Sequence, residues 1–193
     1  MLFDWPLDLP GESSWLGAPF LKALPKGTIV LHQVREPVAV IRSFLRVRFF
    51  DEPSAYLRFA EARLPKLAQG DRVERCMRYW LEWNRLAERG AGLKGLGYFR
   101  YRLEDFDAAL LERILAMIRY RCEPERVERA IAERPRDYNS RGDKGADSDV
   151  TWGTLPRGEL RDALAELASR YGYEGLTSDG TLAVTTRATA ASP

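Results

Sequence analysis

Residues 28–34 constrain the fold of this chain more than any other segment. They read Thr-Ile-Val-Leu-His-Gln-Val, a run that is rich in β-branched residues and has no charged side chain. Such a run is typical of a strand that is covered on both faces of a parallel sheet. Pro37 follows shortly and suits the first turn of a helix, where its missing N–H leaves no hydrogen bond unmade. Apolar residues then recur at helical spacing, at Val38, Ile41, Leu45 and Phe49. The sequence therefore predicts a buried strand that turns directly into a helix.

This strand–helix unit places a guanidinium and a hydroxyl close to the position where α/β proteins bind ligands. Ligands of open α/β sheets lie outside the carboxyl ends of the strands. Arg35 follows the predicted strand, and Ser43 falls on the second turn of the predicted helix. Because arginine suits bidentate contact with phosphate, the pair predicts a phosphorylated ligand. In the alternative interpretation, Arg35 pairs with Glu36 or a neighbouring helix, and Ser43 is an ordinary small helical residue.

Composition limits the classes of function. The chain has 193 residues, enough for one domain with a sizeable core. Its formal net charge is only +2, so neither a nucleic acid nor a membrane surface is expected as a partner. There is no apolar run of membrane-spanning length and no start of the signal-peptide type, so a cytoplasmic location is the expectation. One histidine and two distant cysteines, Cys76 and Cys122, predict neither a metal site nor a disulfide framework.

Only two strands are predicted among at least five helices. The second strand is residues 98–103, and residues 177–193, rich in Thr, Ala and Ser, are predicted to be a disordered tail. The predicted helices after the first strand–helix unit contain residues 73–84, 108–120, 125–132 and 160–171, and residues 135–150 form a predicted loop. Two strands are few for a parallel sheet, so either weak strands are hidden or part of the sheet is missing.

At this point the chain resembles the sulfotransferases that use 3′-phosphoadenylyl sulfate (PAPS). In that family, a strand that ends in Arg is followed eight residues later by a Ser, as Arg35 is by Ser43 here. Four further segments resemble the family in the same order: its Trp-rich helix, its Tyr-Glu-Asp-Leu strand end, the loop over the 3′-phosphate and the closing helix, here residues 78–85, 101–106, 139–152 and 167–173. The resemblance covers roughly residues 13–175.

The resemblance implies a fold, a co-substrate and a reaction. The fold would be an α/β, P-loop type of parallel sheet flanked by helices, in a sulfotransferase-like domain over residues 1–176. Arg35 and Ser43 would hold the 3′-phosphate of PAPS, with Arg141 and Gly142 helping from their loop. The sulfuryl group would pass to a hydroxyl or amine of an unknown small-molecule or glycan acceptor, without a metal.

The family also has a Gly-rich loop that binds the 5′-phosphosulfate, and this chain contains no such loop. We therefore expect the domain to be N-terminally incomplete. Two hypotheses follow: a sulfotransferase that is active when complete, and a catalytically inactive remnant that acts through binding. A nucleotide-binding enzyme of the kinase type is a third. Glu12 lies about where the family places its catalytic base, and a carboxylate can accept a proton from an acceptor hydroxyl. Alternatively, Glu12 favourably precedes a helix that Ser13 caps.

Overall fold

Two parallel strands lie side by side in this protein. A computed structural model describes residues 14–133, 149–176 and 182–184. Strand β1 (Ile29–Val34) pairs with β2 (Gly97–Arg102), in a register that runs from Ile29 opposite Gly97 to Val34 opposite Arg102. The carboxyl ends of both strands therefore meet at one edge, and ligands of open α/β sheets bind at such an edge.

Helices occupy most of the remaining described chain. The α-helices are α1 (Pro37–Arg46), α2 (Ala55–Arg63), α3 (Arg72–Glu88), α4 (Ala108–Met117), α5 (Pro124–Ala132) and α6 (Glu159–Arg170). Short 3-10 helices cover Trp15–Ala23, Arg89–Gly92, Leu103–Asp105 and Trp152–Thr154. The prediction of a mixed α/β fold with a parallel strand pair is thus confirmed.

Local signals explain where the helices begin. Glu36 caps α1, because its carboxylate accepts a hydrogen bond from the backbone N–H of Ala39 at 2.5 Å. Helix α3 begins with a capping box in which Asp71 and Glu74 each accept a backbone N–H from the other. These caps fix the directions of the two helices that pack most closely on each other.

The core lies against one face of the strand pair. On β1 the side chains of His32 and Val34 are buried against the helices, whereas Leu31 and Gln33 point to the other face and are exposed. The buried side chains on this side come mainly from α1, α3 and α6, among them Val38, Ile41, Cys76, Met77, Trp80, Leu164 and Leu167. Helix α3 is central to this core because it contacts α1, α6 and β1.

The prediction that β1 is covered on both faces is wrong for the part of the chain that the structure describes. Leu31 is 38% exposed, although it lies in the middle of the strand. Its neighbour on β2, Phe99, is covered by the guanidinium of Arg113 from α4, which lies 4.8 Å from the centre of the ring. The outer face of the pair is therefore only partly covered among these residues.

A second, smaller strand pair follows α6. Strand β3 (Tyr173–Leu176) pairs antiparallel with β4 (Leu182–Val184), which lies inside the range that the sequence assigns to a tail. The other residues of 177–193 lie outside the described residues. No helix in the described ranges is both long enough and apolar enough to cross a membrane.

Candidate functional site

The carboxyl edge of the parallel pair is held together by hydrogen bonds among three elements. The backbone N–H of Glu36 donates to Glu104 Oε1 at 2.9 Å, which joins the residues that follow β1 and β2. The Tyr173 hydroxyl donates to Glu104 Oε2 at 2.7 Å and adds β3 to the same group. Because Tyr173 is almost fully buried, this carboxylate anchors the edge to the core.

Arg102, the last residue of β2, belongs to this scaffold. Its Nε donates to Asp105 at 2.6 Å, and another guanidinium nitrogen donates to the carbonyl of Gly172 at 2.8 Å. The guanidinium also lies 5.8 Å from the centre of the Tyr173 ring. Arg102 is buried and its donors have protein acceptors, so its role here is structural.

Arg35 lies at the same edge and differs in its surroundings. Its side chain is exposed and forms no ion pair within the described part of the chain. The backbone of Arg35 is fixed, because Trp80 Nε1 donates to its carbonyl at 3.0 Å. The alternative in which Arg35 pairs with Glu36 or a neighbouring helix therefore finds no support among these residues. A fixed backbone and an available guanidinium suit contact with an external anion.

Ser43 is half-buried on the second turn of α1, where the sequence predicts it. It lines an open cleft of about 540 Å³ whose other lining residues are Val47, Arg48, Phe49, Glu52, Ser54 and Tyr56. Arg35 does not line this cleft, and no hydrogen bond between the Arg35 and Ser43 side chains is present in the described chain. The structure therefore places both residues on one strand–helix unit without a direct contact.

A contact that the sequence did not indicate connects α1 to a distant segment. Arg42, the residue before Ser43, donates from Nε to the carbonyl of Val150 at 2.5 Å. Val150 follows residues 134–148, which lie outside the described residues together with the predicted loop residues Arg141 and Gly142. Glu12 also lies outside the described residues. The contact fixes the exit of that loop beside the helix that carries Ser43.

His32 is buried in the interior. The Asn84 amide donates from Nδ2 to the Trp80 carbonyl at 2.7 Å, so its Oδ1 faces His32 Nε2 at 2.9 Å. His32 therefore donates from Nε2 and accepts at Nδ1 from the Tyr98 hydroxyl at 2.6 Å. Burial lowers the pKa of His32 from 6.5 to about 4, although the hydrogen bond to Asn84 acts in the opposite direction. A neutral, fully bonded imidazole in the interior does not serve as a base.

The tryptophans of α3 are core residues. Trp80 is 2% exposed and Trp83 is 7% exposed. Trp83 stacks on Tyr79 with ring centres 5.2 Å apart, and its Nε1 donates to the carbonyl of Trp15. These rings hold α3 in place and leave no free ring face on which the adenine of a nucleotide could stack.

Comparisons with known proteins do not extend this description. No family model matches the chain, and no curated protein or solved structure does so either. The function must therefore be argued from the residues and their geometry.

Proposed function

We propose that this chain is a sulfotransferase that transfers a sulfuryl group from PAPS to a hydroxyl or amine acceptor. One observation carries the proposal: Arg35 is exposed and without an ion pair among the described residues, at the carboxyl end of a parallel strand that leads into the helix of Ser43. Arginine and serine at this edge suit a phosphate monoester, such as the 3′-phosphate of the donor.

The rigidity of the strand–helix unit supports this proposal. Trp80 holds the backbone carbonyl of Arg35, and the Glu36 carboxylate caps α1 directly afterwards. Glu104 in turn holds the backbone N–H of Glu36. A site on fixed backbone loses little conformational entropy when it binds a ligand, so the unit is preorganised for an anion.

The contact between Arg42 and Val150 supports the contribution that we propose for the loop. Arg141 precedes Val150 by nine residues, and an extended chain of that length spans roughly 30 Å. The chain length by itself is therefore compatible with the contact that we propose between Arg141 and the 3′-phosphate. We retain Arg141 and Gly142 as proposed ligands of the 3′-phosphate on this ground.

The proposed chemistry rests on positioning. PAPS supplies a sulfuryl group that passes in line to the acceptor oxygen or nitrogen, and the residues of this chain would hold the nucleotide end of the donor. Charge stabilisation and orientation account for most catalysis in the related case of phosphoryl transfer. Glu12 remains the proposed base, because a carboxylate can accept the proton of an acceptor hydroxyl.

Titration calorimetry with 3′,5′-ADP tests the proposal. We expect the wild type to bind and Arg35→Ala to lose roughly tenfold or more in affinity, because a charge-assisted contact with phosphate is removed. Ser43→Ala should lose less. Arg46→Ala, which removes an exposed arginine from the same helix, is the matched control and should bind like the wild type.

Equal binding by the wild type and Arg35→Ala would refute the proposed site. Competition with ATP separates the proposal from a kinase-type enzyme. A sulfotransferase should prefer 3′,5′-ADP, whereas displacement by ATP at the same concentration would favour the kinase-type alternative.

The partly covered outer face of the strand pair favours a second candidate function. Leu31 is 38% exposed in mid-strand, and apolar surface of this kind is suited to contact with another protein. A catalytically inactive, sulfotransferase-like scaffold would act through such contacts and should be oligomeric or poorly soluble. A monodisperse, cooperatively melting monomer in sedimentation and calorimetry would argue against this candidate.

A further inference from the structure

A second cavity, of about 520 Å³, lies between α3 and the start of α6. The apolar residues of its lining are Leu160 and Ala163 of α6, which are partly exposed, and Met77 and Leu81 of α3, which are buried. Positive charge comes from Lys66, Arg78, Arg85 and Arg157. Neither Arg35 nor Ser43 lines it, so it is distinct from the site proposed above. A volume of this size lies within the range of small-molecule sites, about 300–1,000 Å³.

Four positive and three negative side chains line this cavity, so its lining has a small positive excess. Lys66, Arg78 and Arg157 form no ion pair in the described ranges of the chain. Of the three carboxylates that line the cavity, Glu82 pairs with Arg85 at 2.7 Å and Glu74 accepts the backbone N–H of the helix cap. The third, Glu159, lies at the start of α6.

Arg78 gives the clearest sign of a missing acceptor. The residue is half-buried, and its Nε is shielded from solvent without a hydrogen-bond partner among the described residues. A buried donor without an acceptor costs roughly 1–3 kcal/mol, and more when the group is charged. Native proteins rarely leave such a donor unsatisfied, so Arg78 can take an acceptor that the described residues do not supply.

The start of α6 lies at the same cavity and also lacks a partner from a side chain. Gly158 precedes the helix with a φ of +129°, and no side chain caps the first turn. The backbone N–H groups of that turn therefore have no side-chain acceptor, while Glu159 and Asp162 already place negative charge at the same turn.

We propose that this cavity binds an organic oxyanion: a phosphate or sulfate monoester, or a carboxylate, with an apolar body. The oxyanion would meet Arg78, Arg157 and Lys66, and the apolar body would lie on Leu160 and Ala163. The apolar lining and the volume exceed what an inorganic ion needs. This inference does not depend on the sulfotransferase proposal.

Phenyl phosphate is a suitable probe, with inorganic phosphate and phenol as its two halves. In titration calorimetry at low ionic strength we expect phenyl phosphate to bind more tightly than inorganic phosphate, and phenol not to bind. Arg78→Gln should weaken phenyl phosphate by roughly tenfold or more, since it removes a charged donor. Arg58→Gln, at an exposed arginine of α2, is the matched control and should have no effect.

Two more variants locate the binding. Leu160→Ala should weaken phenyl phosphate and leave inorganic phosphate unchanged, because it shortens only the apolar lining. Arg35→Ala should leave unchanged the part of the phenyl phosphate binding that Arg78→Gln weakens, and loss of that part in Arg35→Ala would assign the anion to the carboxyl edge and overturn the proposal. Absence of phenyl phosphate binding in a wild type that is folded by circular dichroism would also overturn it.

Discussion

Two arginines at the same edge of the strand pair have opposite surroundings. Arg102 ends β2 and is buried, with acceptors from Asp105 and Gly172. Arg35 follows β1, is exposed, and has no ion pair among the described residues. The sequence alone shows each as an arginine at or near the end of a predicted strand. An arginine at a strand end is therefore a ligand candidate only where the protein supplies no acceptor for it.

The largest expected effect on stability concerns Arg102, the arginine whose donors have acceptors within the protein. Arg102→Ala should lower the free energy of unfolding by about 3 kcal/mol, because it removes a charged hydrogen bond to the Gly172 carbonyl and the packing on Tyr173. Urea unfolding followed by circular dichroism measures this change. Arg102→Met keeps much of the packing, so its free energy of unfolding should lie between those of the wild type and Arg102→Ala. A loss below about 1 kcal/mol would contradict the structural role.

The second effect concerns pH and the buried polar residue of β1. The pKa of His32 is about 4 in the folded protein and 6.5 as its ordinary value. The unfolded chain therefore binds the proton more readily than the folded protein does. The contribution of neutral His32 to the free energy of unfolding is therefore complete above pH 6.5 and is lost as the pH falls towards 4. Between about pH 6.5 and pH 4.5 the free energy of unfolding should fall by about 2 kcal/mol from this cause.

The difference between wild type and His32→Gln isolates this contribution from the carboxylates, which also titrate in acid. Glutamine can keep contacts to Tyr98 and Asn84 but has no proton to gain. The wild type should lose stability more steeply than the variant over this pH range. Parallel curves would show that His32 is not buried as a neutral group.

The third effect concerns the hydrogen bond between Tyr173 and Glu104 at the carboxyl edge. Tyr173→Phe removes the hydroxyl that donates to Glu104 and should cost about 1.5 kcal/mol of unfolding free energy. Burial, followed by the nearby Glu104 carboxylate, raises the pKa of the Tyr173 hydroxyl, so the hydroxyl donates throughout the stable pH range. Thermal melts of the variant and of Tyr120→Phe, an exposed tyrosine, measure the difference. Equal losses in both would mean that the bond to Glu104 contributes nothing.

The sequence predicted the parts of this architecture that depend on local signals. The β-branched run before Arg35 and the proline at position 37 were enough to place β1 and α1. It could not show that Leu31 is exposed, because a continuous apolar run has no period that distinguishes one face from two. Nor could the short strand β4 be found in a segment rich in Thr and Ala.

The contacts that separate scaffold from candidate site are long-range, which is why the sequence did not reveal them. Arg42 and Val150 are 108 residues apart, Arg102 and Gly172 are 70 apart, and Glu104 and Tyr173 are 69 apart. Arg35 and Ser43 were chosen as a pair because they are near in sequence, and their joint contact with an anion remains a prediction.

The smallest expected effect on stability tests the ligand side of the comparison. Arg35→Ala should change the free energy of unfolding by no more than about 0.5 kcal/mol, because an exposed side chain without an ion pair in the described structure leaves no buried group behind. The same urea titration that is used for Arg102→Ala measures it. A loss comparable to that of Arg102→Ala would mean that Arg35 is also scaffold, and the geometric argument for an anion at this edge would fail. A stable variant that no longer binds 3′,5′-ADP would separate the two arginines fully, one by its contribution to folding and the other by its contribution to binding.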